Sequence, residues 1–418
     1  NAAKPDEEDY KDKVLRSTTL RTLILALPED QAEVEKWNTS ILAAAFHRLA
    51  RFGGSSREFQ SWFKESILTI GSCHVPDSGQ VKPHLVGTSK SSSVRRGLGY
   101  ERVSLLVAEV ERRVLQNRCS GQGLSNLCWA HGKIALGGTT FMAALTSALL
   151  ALLDSQANAY PKRALREIEL CQVLWGISRV CVGSRMAAKQ RASDSDSNQE
   201  HSLLYRKPHS GELITTLEAA YSDILSPSTL HGSRVDEVSR DAELALKLAE
   251  EAAFGLQRLR FRPHQISSLA LCATTLSRCY GSEVETILLE AIISVLPSIA
   301  YSLDLRQITT VAWSLSRANG LRKQQVHESM AVLLPHIISQ LEVSLDVEGA
   351  NNTCDSVEVA KTTRCLQSGR EASQLAQAYA VSGYQGHDLY HSLCIHMGKL
   401  VRAQERSEDA TSDLSAST

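Results

Sequence analysis

The chain has 418 residues, 43% hydrophobic but only 5% aromatic, with 10 prolines, so there is apolar mass for a large core built mainly from leucine and alanine. That composition favours helix over sheet and excludes a wholly disordered or an all-β chain. Lysine and arginine number 45 against 46 acids, a net charge of −1, which excludes a partner recruited by a strong overall field and leaves only local patches.

In chain order, the first strongly periodic segment is LAAAFHRLARFGG (Leu42 to Gly54), which closes an N-terminal helical block and first repeat over residues 1–72. Residues 73–100, with Pro76, Pro83 and the run SKSSS, form an irregular linker. From 101 to 402 one pattern recurs. LSNLCWAHGK (Leu124 to Lys133), LCQVLWGISR (Leu170 to Arg179) and ITTVAWSLSR (Ile308 to Arg317) place an aliphatic residue, a second three positions on and a tryptophan five positions on in one register. ISSLALCATTLSR (Ile266 to Arg278) and ASQLAQAYAVSG (Ala372 to Gly383) fit the frame with Leu271 and Gln377 in the tryptophan position.

A glycine and a second amphipathic segment follow most copies: Phe141 to Leu153, Val284 to Leu303, Val326 to Leu345 and Leu389 to Val401. Aligned positions 129 and 175 lie 46 residues apart and positions 271 and 313 lie 42 apart, the period of helical-hairpin repeats. The predicted fold is therefore all-α, an α-solenoid of helical hairpins with irregular loop insertions. Ser184 to Gly211 and Asp346 to Gly369 read as solvated loops, and Glu212 to Leu225 and Ala242 to Leu259 as helices of a poorly matching unit. Residues 403–418 lack an apolar period and read as a polar tail, mobile unless a partner orders it.

The ten cysteines form no CxxC pair and sit mostly in apolar helical patterns, where a thiol behaves as a small hydrophobe. The uncharged run Leu136 to Leu153 is too short and too rich in Gly, Thr and Ser to span a bilayer, so no membrane association is expected. There is no GxxxxGK[ST], GxGxxG or GxSxG motif, and no enzyme activity or cofactor is expected. His387 and His391, with His396 beyond, have a spacing that a metal accepts, but Asp388 stands where the HExxH frame has glutamate. Asp388 follows Gly386 and reads as a helix cap, so no metal is expected.

LSNLCWAHGK, ITTVAWSLSR and ASQLAQAYAVSG resemble the first helix of octotricopeptide and heptatricopeptide repeats, organellar relatives of pentatricopeptide repeats. The lead-in FRPHQISSLAL (Phe261 to Leu271) is similar to the phrase those families place before that helix. The resemblance covers five or six units between Leu42 and Val401; the RAP domain that often ends such proteins is not visible. It implies an RNA-binding protein of the mitochondrial matrix, or alternatively of plastids. Its implied setting is structural: a mitochondrial ribosome component contacting rRNA and neighbouring proteins of a large ribonucleoprotein. Leucine- and alanine-rich hairpins also build HEAT and armadillo arrays, so a protein–protein scaffold without nucleic acid is the alternative.

The candidate RNA contacts are cations. Arg51, Lys133, Arg179 and Arg317 each stand four residues after the aligned tryptophan or its substitute, whereas the Ile266 unit reaches Arg278 three residues later than that frame. They read either as a ladder of phosphate contacts or as cations complementing helix C-termini. Leu85 to Ala135 holds eight cations against three acids, including Arg95, Arg96, Arg112 and Arg113; Tyr160 to Ala192 holds seven against two, including Lys162, Arg163 and Arg166. Arg258, Arg260 and Arg262 alternate with Leu259 and Phe261 as a short basic ribbon. Trp129, Trp175 and Trp313 are expected in the core. Ser125, Asn126, Gln172, Thr309, Thr310 and Gln374 are the positions that would face base edges under the resemblance.

Overall fold

The computed structural model describes residues 12–53, 100–134, 138–156, 164–196, 232–346, 356–384 and 386–416, and no strand occurs among them. The chain divides into two compact units, Asn1–Ala245 and Leu246–Thr418.

The first unit contains α1 (Leu20–Ala26), α2 (Gln31–Lys36), α3 (Thr39–Gly53), α4 (Tyr100–Leu115), α5 (Gly121–Ile134), α6 (Gly138–Gln156), α7 (Glu167–Asp196) and the opening turns of α8 (Gly232–Gln257). Helices α3, α5 and α7 pack one after another in one layer; α4 and α6 pack on each other and against α3 and α5. The apolar spacing that predicts these helices aims Phe46, Leu106, Leu124, Phe141 and Leu149 into the space between layers, where all five are buried. Phe46 and Phe141 meet at 5.7 Å between ring centres, and His131 stands edge-on to Phe141 at 5.6 Å. Arg102 ties α4 to the α1–α2 connection, donating to the carbonyls of Leu25 and Leu27 at 2.8 and 3.0 Å and pairing with Glu29.

The second unit contains the rest of α8, then α9 (Pro263–Tyr280), α10 (Ser282–Ile299), α11 (Leu305–Ser316), α12 (Lys323–Asp346), α13 (Ser356–Ser382) and α14 (His387–Ala416). Here α9, α11 and α13 pack in succession, as do α10, α12 and α14, and each hairpin pairs one helix from each series. A glutamine at the third helical position recurs at the helix starts: the side chains of Gln265, Gln307 and Gln325 accept from the backbone N–H of Arg262, Asp304 and Arg322 at 2.7, 3.1 and 3.1 Å. Gly281 and Gly383 leave α9 and α13 with φ of 100° and 74°, a backbone region closed to most side chains. Tyr379, fully buried on α13, donates its hydroxyl to the Met330 carbonyl on α12 at 2.9 Å.

Three sequence expectations shift. Helix α7 runs on to Asp196, α13 begins at Ser356, and α14 continues to Ala416, where loops and a polar tail were expected. Extending a helix adds one hydrogen bond per residue, whereas starting one is costly, so a packed helix carries polar residues beyond its apolar stripe. The N-terminal boundary at 72 and most of the 73–100 linker lie outside the described residues, as does the Glu212 to Leu225 segment. Among the described residues, one helix, Ser282–Ser302, has the length and hydropathy to cross a membrane; about half of its apolar stretch is buried, with Leu288, Leu289 and Ile292 in the core of the second unit.

Glu285, near the start of α10, is buried and accepts from the backbone N–H groups of Asn319 and Gly320 at 3.0 and 3.2 Å, fixing the turn after α11. Burial raises its pKa against the downward pull of those donors, Ser277 and Arg278. A carboxyl raised on folding contributes stability at low pH that is lost as pH rises through its folded pKa. Glu285→Gln, which keeps an acceptor without the charge, is therefore expected to melt at or above the parent temperature at pH 7. Glu285→Ala, which strands both donors, is expected to lose about 1–3 kcal/mol in a denaturant titration.

Candidate nucleic-acid interface

The register of the tryptophans sets a row across one layer of the first unit. Trp129 on α5 stacks on Trp175 on α7, with ring centres 5.8 Å apart and planes 27° from parallel. His47 on α3 lies 4.4 Å from Trp129 at 33°. The Leu42 segment is thereby placed in register, with His47 in the tryptophan position and Arg51 one turn later, as Lys133 follows Trp129 and Arg179 follows Trp175. Lys133 sits over the Trp129 ring at 4.9 Å and Arg179 over the Trp175 ring at 5.9 Å. In the second unit Arg317, the cap residue of α11, lies 3.9 Å over Trp313.

This corrects the expectation that the three tryptophans are core. All three are half-buried: each ring closes the margin of the apolar stripe and meets its cation there. Among the described residues the wholly buried large aromatics are instead Trp37, Phe46, Phe141 and Tyr379.

The row depends on backbone approach. A Cβ on Gly176 would lie 2.3 Å from the Cys128 carbonyl oxygen, and one on Gly132 would lie 2.6 Å from the Gly176 carbonyl oxygen. Gly132, one turn after Trp129, and Gly176, next to Trp175, thus let α5 and α7 touch main chain to main chain, which brings the rings together. Cys128, sealed in this contact, has its thiol pushed up to about 12 by burial and then by Asp241, and is chemically inert.

Arg51, Lys133 and Arg179 are exposed and form no ion pair among the described residues. The charges of Arg51 and Lys133 are felt at His47, whose pKa falls below its ordinary value through burial, then Arg51, Arg48 and Lys133, leaving a neutral imidazole at pH 7. Arg48 itself donates to the Ser17 carbonyl at 2.7 Å.

The other cations divide. Arg112 and Arg113 both bond the buried carboxylate of Glu109, at 2.7 and 2.6 Å, and Arg113 also donates to the Glu35 carbonyl at 2.9 Å. Arg166 bonds Glu169 at 2.6 Å while the Glu169 carboxylate accepts from the Arg166 N–H at 2.8 Å, so this pair caps α7. These three arginines, like Arg102, therefore hold helices in place. Arg258 lies 4.0 Å over the exposed Phe254, Leu259 has left-handed φ of 51°, and Arg260 and Arg262 are exposed beside it, giving the second unit a basic ribbon at the end of α8. Arg278 is exposed next to buried Glu285. Arg95, Arg96, Lys162 and Arg163 lie outside the described residues.

Among the polar positions, Ser125 is buried and donates to Gln172 across the α5–α7 contact at 3.1 Å, and buried Thr309 donates to the Leu305 carbonyl at 2.7 Å. Both face into the layer, contrary to the expectation of base edges. Asn126, Thr310 and Gln374 are half-buried, and Thr310 bonds its own helix. His387 and His391 are exposed while His396 is buried, so the three do not share a face. Among the described residues no three His, Cys, Asp or Glu side chains converge on a metal-sized site. No protein-family model matches the sequence, and no curated protein matches it significantly.

Proposed function

We propose that the chain is an organellar RNA-binding helical-repeat protein, an α-solenoid of hairpins whose insertions fill gaps in a large ribonucleoprotein. The setting that its resemblance to octotricopeptide and heptatricopeptide repeats favours is the mitochondrial ribosome, with rRNA and neighbouring proteins as partners. The observation that carries the reading is the file of Arg51, Lys133 and Arg179, one exposed cation per helix on three successively packed helices. A polyanion crossing the layer meets one such charge per helix. In this reading the chain does no chemistry: it holds RNA.

Salt dependence tests it. Filter binding of single-stranded RNA is expected to be saturable and to weaken steeply between roughly 50 and 200 mM salt, with a slope near 0.7 per phosphate contacted. Tagged protein recovered from organelles is expected to carry rRNA. Absence of saturable binding at low salt would leave the HEAT- or armadillo-like scaffold. A specific observation favours that second reading: Glu29, Glu109 and Glu169 already engage Arg102, Arg112, Arg113 and Arg166.

A further inference from the structure

We propose that the first unit carries a base-indifferent track for the backbone of single-stranded RNA, in which His47, Trp129 and Trp175 are a fixed spine and Arg51, Lys133 and Arg179 make the contacts. The proposal rests on the RNA-binding reading above and adds what the RNA presents to this face.

Half-exposed tryptophans beside cations ordinarily suggest platforms for bases, since each stacked base is worth about 1–3 kcal/mol. Here the faces are taken. Helix α5 lies between α3 and α7, so Trp129 has His47 on one side at 4.4 Å and Trp175 on the other at 5.8 Å. Lys133 and Arg179 cover the same two tryptophans. An incoming base has to break a ring pair and a cation contact before it gains a stack. It also has to part α5 from α7, which the Gly132–Gly176 contact holds at main-chain distance. Of the polar positions on these helices, Ser125 and Gln172 are engaged with each other across that contact.

What the spine does supply is order among charges. A lysine or arginine lying on an aromatic face has fewer rotamers to lose on meeting a phosphate, so each contact forms at lower entropic cost. Neighbouring helices in a layer stand about 8–10 Å apart, which sets the cations in a single file that one strand can follow. Nothing in that file distinguishes one base from another.

The test uses the full chain and three labelled oligomers of equal length and charge: oligo(U), oligo(A) and an abasic ribose-phosphate strand. All three are expected to bind within about threefold of one another. The triple variant Arg51→Gln, Lys133→Gln, Arg179→Gln is expected to bind at least tenfold more weakly and to lose about 2 from the salt slope, 0.7 for each of three contacts. Its melting curve should match the parent, because exposed charges contribute little to stability. If the abasic strand binds ten times more weakly than oligo(A), bases are being stacked and the track is overturned, a comparison that needs no variant. If the parent binds RNA and the folded triple variant keeps its slope, the contacts lie elsewhere: the track fails while the RNA-binding reading stands. A parent that binds none of the strands overturns both.

Discussion

Gly176→Ala is expected to cost the first unit about 3 kcal/mol and to separate the Trp129–Trp175 stack. The added methyl would stand 2.3 Å from the Cys128 carbonyl oxygen and 2.6 Å from its carbonyl carbon, both main-chain atoms that no rotamer change can move. Helices α5 and α7 must therefore part along their whole contact, and the packing of Leu127, Leu174 and Ile177 loosens with them. An exposed helical Gly→Ala change ordinarily gains up to about 1 kcal/mol, so the sign of the effect separates the two situations. Denaturant unfolding followed by tryptophan fluorescence reads both the stability and the ring environment. Gly132→Ala, which meets the Gly176 main chain at 2.6 Å, is expected to behave alike, and the double variant to cost less than the sum because one separation relieves both clashes.

That contact shows which parts of the molecule a sequence makes readable. The apolar spacing in LSNLCWAHGK and LCQVLWGISR marks both helices and their shared register, because burial of one face dictates it locally. Nothing local says that Gly132 will meet Gly176, since that depends on which helices become neighbours. The depth of the tryptophans is not readable for a related reason: a stripe's register tells which side of a helix is apolar, not how near its edge a given ring lies. The cation four residues on was the available sign that the ring reaches the boundary. The pairing of Arg112 and Arg113 was also within reach of the sequence, as Glu109 stands three and four residues before them. Counting charge over a window hides such pairs. The unbroken run of α14 to Ala416 is not readable, because its last residues carry no apolar period to announce a helix.

Glu109→Ala is expected to destabilise the first unit by about 3 kcal/mol, far more than an exposed ion pair costs. The Glu109 side chain is wholly buried, and that of Arg113 is only 11% exposed. Removing the carboxylate leaves Arg113 with a nearly buried charge whose other acceptors are the Glu35 carbonyl at 2.9 Å and Thr39 at 3.4 Å, and it unties α4 from α2. Burial alone would raise the Glu109 pKa, but hydrogen bonds from Arg112 and Arg113, then their charges, bring it below the ordinary carboxylate value. A carboxyl lowered on folding contributes stability that is present above its unfolded pKa and lost as pH falls through the folded one. The parent should therefore lose this contribution below about pH 4.5, the ordinary glutamate value, while Glu109→Ala is already without it and shows a shallower acid limb. The same substitution gives the RNA-binding reading an independent check. Releasing Arg112 and Arg113 from their carboxylate adds one net positive charge to α4, so any variant that remains folded should bind RNA more tightly at low salt, with a steeper salt slope, if those arginines face the strand. An unchanged slope alongside the lost stability would confine both arginines to a structural role.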